Sequence, residues 1–143
     1  MKVHVRAEVR PTESCEKVKQ AIRNLFDVEL REEREGEQLY VVGEGDENSL
    51  GKFRRLLFRQ RILDAARQFM LNGLTRSGFT FYLNKQAAYV GVISFCTYEL
   101  GESPLGPIVV EVRCEDPHTA ILWLAPRTVQ GTPVEEVTSP PDP

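Results

Sequence analysis

The chain has 143 residues, with 21 acidic against 18 basic side chains, a formal net charge of -3 and 41% hydrophobic residues. That length suits one domain with a proper core and is too short for two of ordinary size, and the mild acidity argues against indiscriminate coating of a polyanion. No apolar run approaches the roughly 20 residues that span a bilayer, and the start at Met1 lacks the apolar stretch of a signal peptide, so a cytoplasmic protein with no membrane partner is expected.

Val3, Val5, Ala7 and Val9 alternate with His4, Arg6, Glu8 and Arg10, the period-two pattern of a strand with one face buried. Pro11 ends it. Thr12 or Ser14 can cap a helix over about residues 14–26, in which Val18, Ala21, Ile22, Leu25 and Phe26 recur at steps of three and four. Residues 27–33 and 37–43 then suggest two strands joined by a turn at Arg34-Glu35-Gly36. Asp46, Asn48 and Ser49 offer caps for a long helical stretch ending at Asn72-Gly73, a pair suited to a left-handed helix terminus. On a wheel, Phe53, Leu56 and Leu57 lie about 160° from Phe58, Ile62, Ala65 and Phe69. The apolar face jumps near Leu57-Phe58, which predicts a break or kink.

Phe79 to Phe95 is rich in aromatic and β-branched residues and is expected to hold a long or bent strand, with a bend at Gly91. After turn signals over residues 101–107, Ile108, Val110 and Val112 alternate in another strand. The short apolar run from Thr119 to Ala125 fits either a strand or a short helix by periodicity. The pattern as a whole predicts one α+β domain over residues 1–133, a mainly antiparallel sheet covered by helices on one side. Pro140, Pro141 and Pro143 mark residues 134–143 as a flexible tail.

Local charge is more telling than its sum. Between Lys52 and Arg67 the chain gathers Lys52, Arg54, Arg55, Arg59, Arg61 and Arg67 against the single acid Asp64, whereas acids dominate from Glu13 to Glu47. In a straight helix Lys52, Arg55, Arg59 and Arg67 fall within about 120° of one another. Guanidinium groups so placed can grip phosphates and stack on bases, although a solvated helix face facing the acidic half fits the same charges. A second feature is the polar run Asn84-Lys85-Gln86 inside an apolar segment. Its amides can contact ribose or base edges and its lysine a phosphate, or the amides can satisfy backbone at a bulge.

Other chemistry is thin. Gly43-Glu44-Gly45 lacks the remaining residues of a phosphate loop, and its flanking acids would repel a phosphate. His4 and His118 have no carboxylate at a ligand spacing, and Cys15, Cys96 and Cys114 show no CxxC spacing, so neither a metal nor another cofactor is expected. No nucleophile elbow, HExxH motif or paired carboxylates point to an enzyme.

Several segments together resemble an uncharacterised archaeal family described as RNA-binding: Val9-Arg10-Pro11-Thr12-Glu13, residues 21–26 (Ala-Ile-Arg-Asn-Leu-Phe), residues 60–67 (Gln-Arg-Ile-Leu-Asp-Ala-Ala-Arg), residues 83–88 (Leu-Asn-Lys-Gln-Ala-Ala), and residues 124–128 (Leu-Ala-Pro-Arg-Thr) followed by Gly131. The resemblance implies an α+β fold like that of the large-subunit ribosomal protein that contacts the smallest ribosomal RNA, and it carries no assigned site residues. The expectation is therefore a non-enzymatic RNA-binding protein. Lys52, Arg55, Arg59 and Arg67 would hold phosphates, Asn84, Lys85 and Gln86 would meet sugar or bases, and Arg61 and Arg127 would assist. The rival is a protein-interaction module or homodimer, in which the basic helix meets an acidic partner such as the Glu-rich half of a second copy.

Overall fold

Val3, Val5, Ala7 and Val9 are all buried while the residues between them are half-buried, which sets the first strand, β1 (Lys2–Val9), against a core on one side only. The computed structural model describes residues 1–97, 105–129 and 132–133; the predicted tail over 134–143 lies outside the described residues. Helix α1 (Cys15–Leu25) follows, its first turn capped by the Ser14 hydroxyl, which accepts from the Lys17 amide. Strands β2 (Glu29–Glu35) and β3 (Gln38–Gly45) form the expected hairpin, shifted by about two residues and turning at Gly36-Glu37. A single 3-10 turn, Glu47–Leu50, is held by a reciprocal cap between Asp46 and Ser49. Two helices then come in succession, α2 (Gly51–Gln60) and α3 (Leu63–Asn72).

The remaining elements are β4 (Gly78–Asn84), α4 (Lys85–Tyr89), β5 (Phe95–Cys96), β6 (Pro107–Arg113), α5 (Pro117–Leu124) and a small hairpin of β7 (Thr128–Val129) with β8 (Thr132–Pro133). The main sheet is wholly antiparallel in the order β2-β3-β1-β6-β4-β5, so β1 and β6 form its centre. Phe79, Phe81 and Leu83 of β4 lie opposite Val112, Val110 and Ile108 of β6, and these side chains join those of β1 on one buried face. Phe53 of α2 anchors the helical layer on that face, stacked on Phe26 at 4.9 Å and on Phe81 at 5.4 Å. The fold is therefore the predicted α+β sheet with its helical cover.

Three local expectations are corrected. The long helix does break, but at Arg61 rather than Leu57-Phe58: Arg61 takes left-handed geometry (φ 58°, ψ 43°) and closes α2. This lets α2 bury Phe53 and Leu57 while α3 buries Leu63, Ala66 and Met70 in the same core. Gly73 is not left-handed (φ -101°); glycine is required there because a Cβ would stand 1.9 Å from the Thr80 carbonyl oxygen. The polar run is not an interruption of one strand but the start of a helix. Asn84 accepts from the Ala87 amide at 2.8 Å and caps α4, which separates β4 from the short β5. Thr119 to Leu124, left open by periodicity, is helical in α5.

Candidate nucleic-acid interface

The basic segment does not form one continuous stripe, because the turn at Arg61 rotates α3 away from α2. Arg61 apart, its cations divide into two groups with different duties. Arg54 donates from Nε to the Trp123 carbonyl at 2.8 Å and lies over the Phe58 and Trp123 rings, at 4.6 and 5.6 Å from their centroids. It ties α2 to α5. Arg67 donates to the Pro126 carbonyl at 3.0 Å and to Asp64 Oδ1 at 2.7 Å. The expected phosphate contact from Arg67 is corrected on this ground: its donors already hold the chain that follows α5. Asp64, the lone acid of the segment, also accepts from the Thr128 hydroxyl at 2.6 Å, and that bond with the Arg67 pair holds its carboxyl below the usual range.

Lys52, Arg55 and Arg59 remain together. They border an open groove of about 580 Å³ whose opposite wall is made by Tyr89, Val90 and Gly91, with Asn24 between the two walls. Arg55 and Arg59 are exposed, stand one helical turn apart on α2, and have no ion pair or hydrogen bond from their guanidinium groups among the described residues. Lys52 is more committed: Nζ donates to the Arg23 carbonyl in the last turn of α1 at 2.8 Å and lies 3.5 Å from Asp27 Oδ1. It borders the groove while bracing α1.

The opposite wall is set by two carboxamides. Asn24 Nδ2 donates to the carbonyls of Ala88 and Tyr89, each at 3.0 Å, at the end of α4. Gln60 Nε2 donates to the Ile93 carbonyl at 3.1 Å while its Oε1 accepts from the Ile93 amide at 2.8 Å. Between these anchors the chain turns through Gly91 (φ +81°), a conformation that side chains with a Cβ rarely adopt. The result is a projecting ledge in which Tyr89 is 43%, Val90 71% and Val92 44% exposed. Lys17 Nζ sits 5.8 Å from the Tyr89 ring centroid on the other side.

The remaining expected contacts lie elsewhere. Lys85 is buried, 3% exposed, and Nζ donates to the carbonyls of Glu8 (2.5 Å) and Leu105 (2.6 Å) and to Glu13 Oε1 (2.8 Å). Burial pushes its ammonium below the ordinary lysine value, against the pull of Glu13. It joins α4 to β1 and to the turn before β6, and at this burial a phosphate cannot reach it. Asn84 gives its Oδ1 to the cap of α4, and Gln86 is exposed at a second hollow of about 420 Å³ beside Lys17 and Tyr89. Arg61 borders a separate hollow with Asp64 and Thr128, and Arg127 is exposed just before β7. Pattern reasoning missed Asn24, Gln60 and the Tyr89 ledge. A signal for α4 existed in the succession of a capping Asn and the good helix formers Lys85, Gln86, Ala87 and Ala88.

The acidic half has its own cations. Arg31 pairs with Glu33 and Glu44, both at 3.0 Å, Lys19 with Glu32 at 3.1 Å, and Arg6 with Glu35 at 3.2 Å. These pairs populate the β2 edge, whose charged side chains discourage pairing with another strand. Among the described residues no group of three or more His, Cys, Asp or Glu side chains could hold a metal ion, and no helix is long and apolar enough to cross a membrane.

An antiparallel sheet with a helical cover that carries two guanidinium groups without a partner among the described residues, beside an exposed aromatic, defines an α+β protein with an exposed cationic face. Residues 2–114 match a family model whose description is RNA binding. A UPF0201 protein of Methanopyrus kandleri is 52% identical over 143 residues, covering 92% of this chain and 89% of the relative, and one from Sulfurisphaera tokodaii is 50% identical, covering 99% and 98%. The crystal structure of a UPF0201 protein from Methanococcus jannaschii superposes with a TM-score of 0.85 at 38% identity, covering 94% of this chain and all of that one. The chain belongs to the UPF0201 family, whose relatives here are archaeal.

Proposed function

We propose that this protein is a cytoplasmic, non-catalytic RNA-binding protein whose contact surface is the groove between α2 and the end of α4. The observation that carries this reading is the pair Arg55 and Arg59, exposed and, among the described residues, without a carboxylate partner, in a chain whose net charge is -3. Water serves such an exposed pair at the small cost of repulsion between like charges one turn apart, so its donors are open to an anion, and a phosphate backbone supplies anions that guanidinium groups bind bidentately. The family description adds independent support. Kinship of fold with the large-subunit ribosomal protein, implied by the sequence resemblance, belongs to the same proposal. The homodimer rival draws less support, because several carboxylates of the acidic half are already paired within the chain.

Fluorescence anisotropy with a labelled mixed-sequence RNA tests the proposal. Affinity should fall steeply between about 50 and 200 mM salt, and the double change Arg55→Ala with Arg59→Ala should weaken binding and lower the salt slope by about 2. A double variant that binds as the parent does, with the same slope, would remove this surface from the proposal.

A further inference from the structure

Resting on the RNA-binding reading above, we infer that the groove takes unpaired nucleotides, with the Tyr89 ring as a stacking platform for a base and Arg55 and Arg59 as holders of the adjoining phosphates. The groove has an exposed apolar part beside the guanidinium groups: Tyr89 and Val90 line it and present carbon to solvent, and Val92, exposed as well, follows just beyond Gly91. A base-paired helix would make no use of that surface, because its bases are stacked inside and it offers a protein only phosphates and 2′-hydroxyls. An unpaired base offers a flat face of its own, and aromatic side chains beside a cationic track are the usual means of holding one.

Charge distribution limits the footprint in the same sense. Lys17 approaches the Tyr89 ring from one side and Arg55 and Arg59 line the groove on the other, so cations flank the aromatic on both sides. Beyond Lys52 the rim turns negative at Asp27, and the β2 edge that follows is rich in glutamate. A duplex contacted across two successive minor grooves needs cations spread over a long span, as when a domain covers roughly 16 base pairs. This surface has one short cationic stretch with a stacking platform in it. The carboxamides of Asn24 and Gln60 complete the device by fixing the backbone on either side of the ledge, so the ring is presented on a rigid support.

The test compares a labelled ten-nucleotide single-stranded RNA with the blunt duplex of the same sequence, using the parent protein, Tyr89→Ala and Tyr89→Phe. The single strand should bind the parent about tenfold or more tightly than the duplex. Loss of the ring in Tyr89→Ala should weaken single-strand binding by about 5- to 100-fold, and Tyr89→Phe should retain it. Circular dichroism confirms that each variant is folded. Equal affinity for the two forms, or a folded Tyr89→Ala that binds as the parent does, overturns the inference while leaving RNA binding through Arg55 and Arg59 in place. Binding of neither form by the parent overturns both. Sedimentation of the same proteins adds a further outcome: if Tyr89→Ala dissolves a homodimer without changing RNA affinity, the ledge is a protein contact and the inference fails.

Discussion

Gln60 and Ile93 exchange two hydrogen bonds across 33 residues of chain, the carboxamide donating to the carbonyl at 3.1 Å and accepting from the amide at 2.8 Å. One side chain at the end of α2 thereby replaces the pairing that a neighbouring strand would supply to the segment leading into β5. The same helix carries Arg55 and Arg59, so the cations and the aromatic ledge are referred to a common element. Gln60→Ala should lower stability by about 1–3 kcal/mol, since it strips two partners from partly buried backbone. It should also weaken RNA binding with no change in salt slope, because no phosphate contact is removed. Urea unfolding followed by anisotropy separates the two effects.

Lys85 is a fastener, and its removal should show it. Among the described residues, Lys85→Ala would leave the Glu13 carboxylate with only the Arg10 amide, at 3.0 Å, and would take the lysine donor from the carbonyls of Glu8 and Leu105. A loss of about 3–5 kcal/mol is expected, read as a large drop in urea midpoint. Where the variant is folded its RNA affinity should match the parent. A stable Lys85→Ala with weakened RNA binding would instead place this lysine in contact with the ligand.

Arg61 holds left-handed geometry that an L residue adopts at a cost of roughly 1–2 kcal/mol, against the 0.5–1 kcal/mol that glycine loses in ordering its backbone. Arg61→Gly should therefore raise stability slightly, by up to about 1 kcal/mol, measured by thermal or urea unfolding. A marked loss would mean that the Arg61 side chain makes a stabilising contact.

Acid should loosen the ion-paired periphery. Asp64 is held below the usual carboxylate range by Thr128 and then Arg67, Glu32 by Lys19, and Glu44 by Arg31. These groups bind protons less readily folded than unfolded, so their contribution is complete above about pH 5 and is lost as pH falls through their lowered values. The urea midpoint should drop from pH 5 to pH 3, and Asp64→Asn should flatten part of that slope. An unchanged slope in Asp64→Asn would deny the Thr128 and Arg67 contacts their role.

The sheet was legible because alternation survives wherever one face is buried: Val3 to Val9 and Ile108 to Val112 declare their inner faces directly. The helix break was legible as a jump in the apolar face, but its position was not, since a left-handed arginine leaves no compositional mark. α4 escaped because five residues are too few to show a helical period. Of the expected contacts, Lys52, Arg55 and Arg59 share a groove, whereas Arg67 and Lys85 are turned inward by carbonyls that belong to distant parts of the chain. Charge is visible in a sequence; the acceptor that claims it is not. Tyr89 escaped for the converse reason, because an aromatic in an apolar segment looks like core until the fold exposes it.

The most direct test is a titration of isotope-labelled protein with a short single-stranded RNA, followed by amide chemical shifts. The largest changes should fall on residues 52–59 and 88–92 and the Asn24 side-chain amide, with the β2–β3 hairpin silent. Changes confined to the open face of the sheet around Tyr40 and Val109, with residues 52–59 and 88–92 unmoved, would contradict the assignment of the groove as the RNA-binding surface.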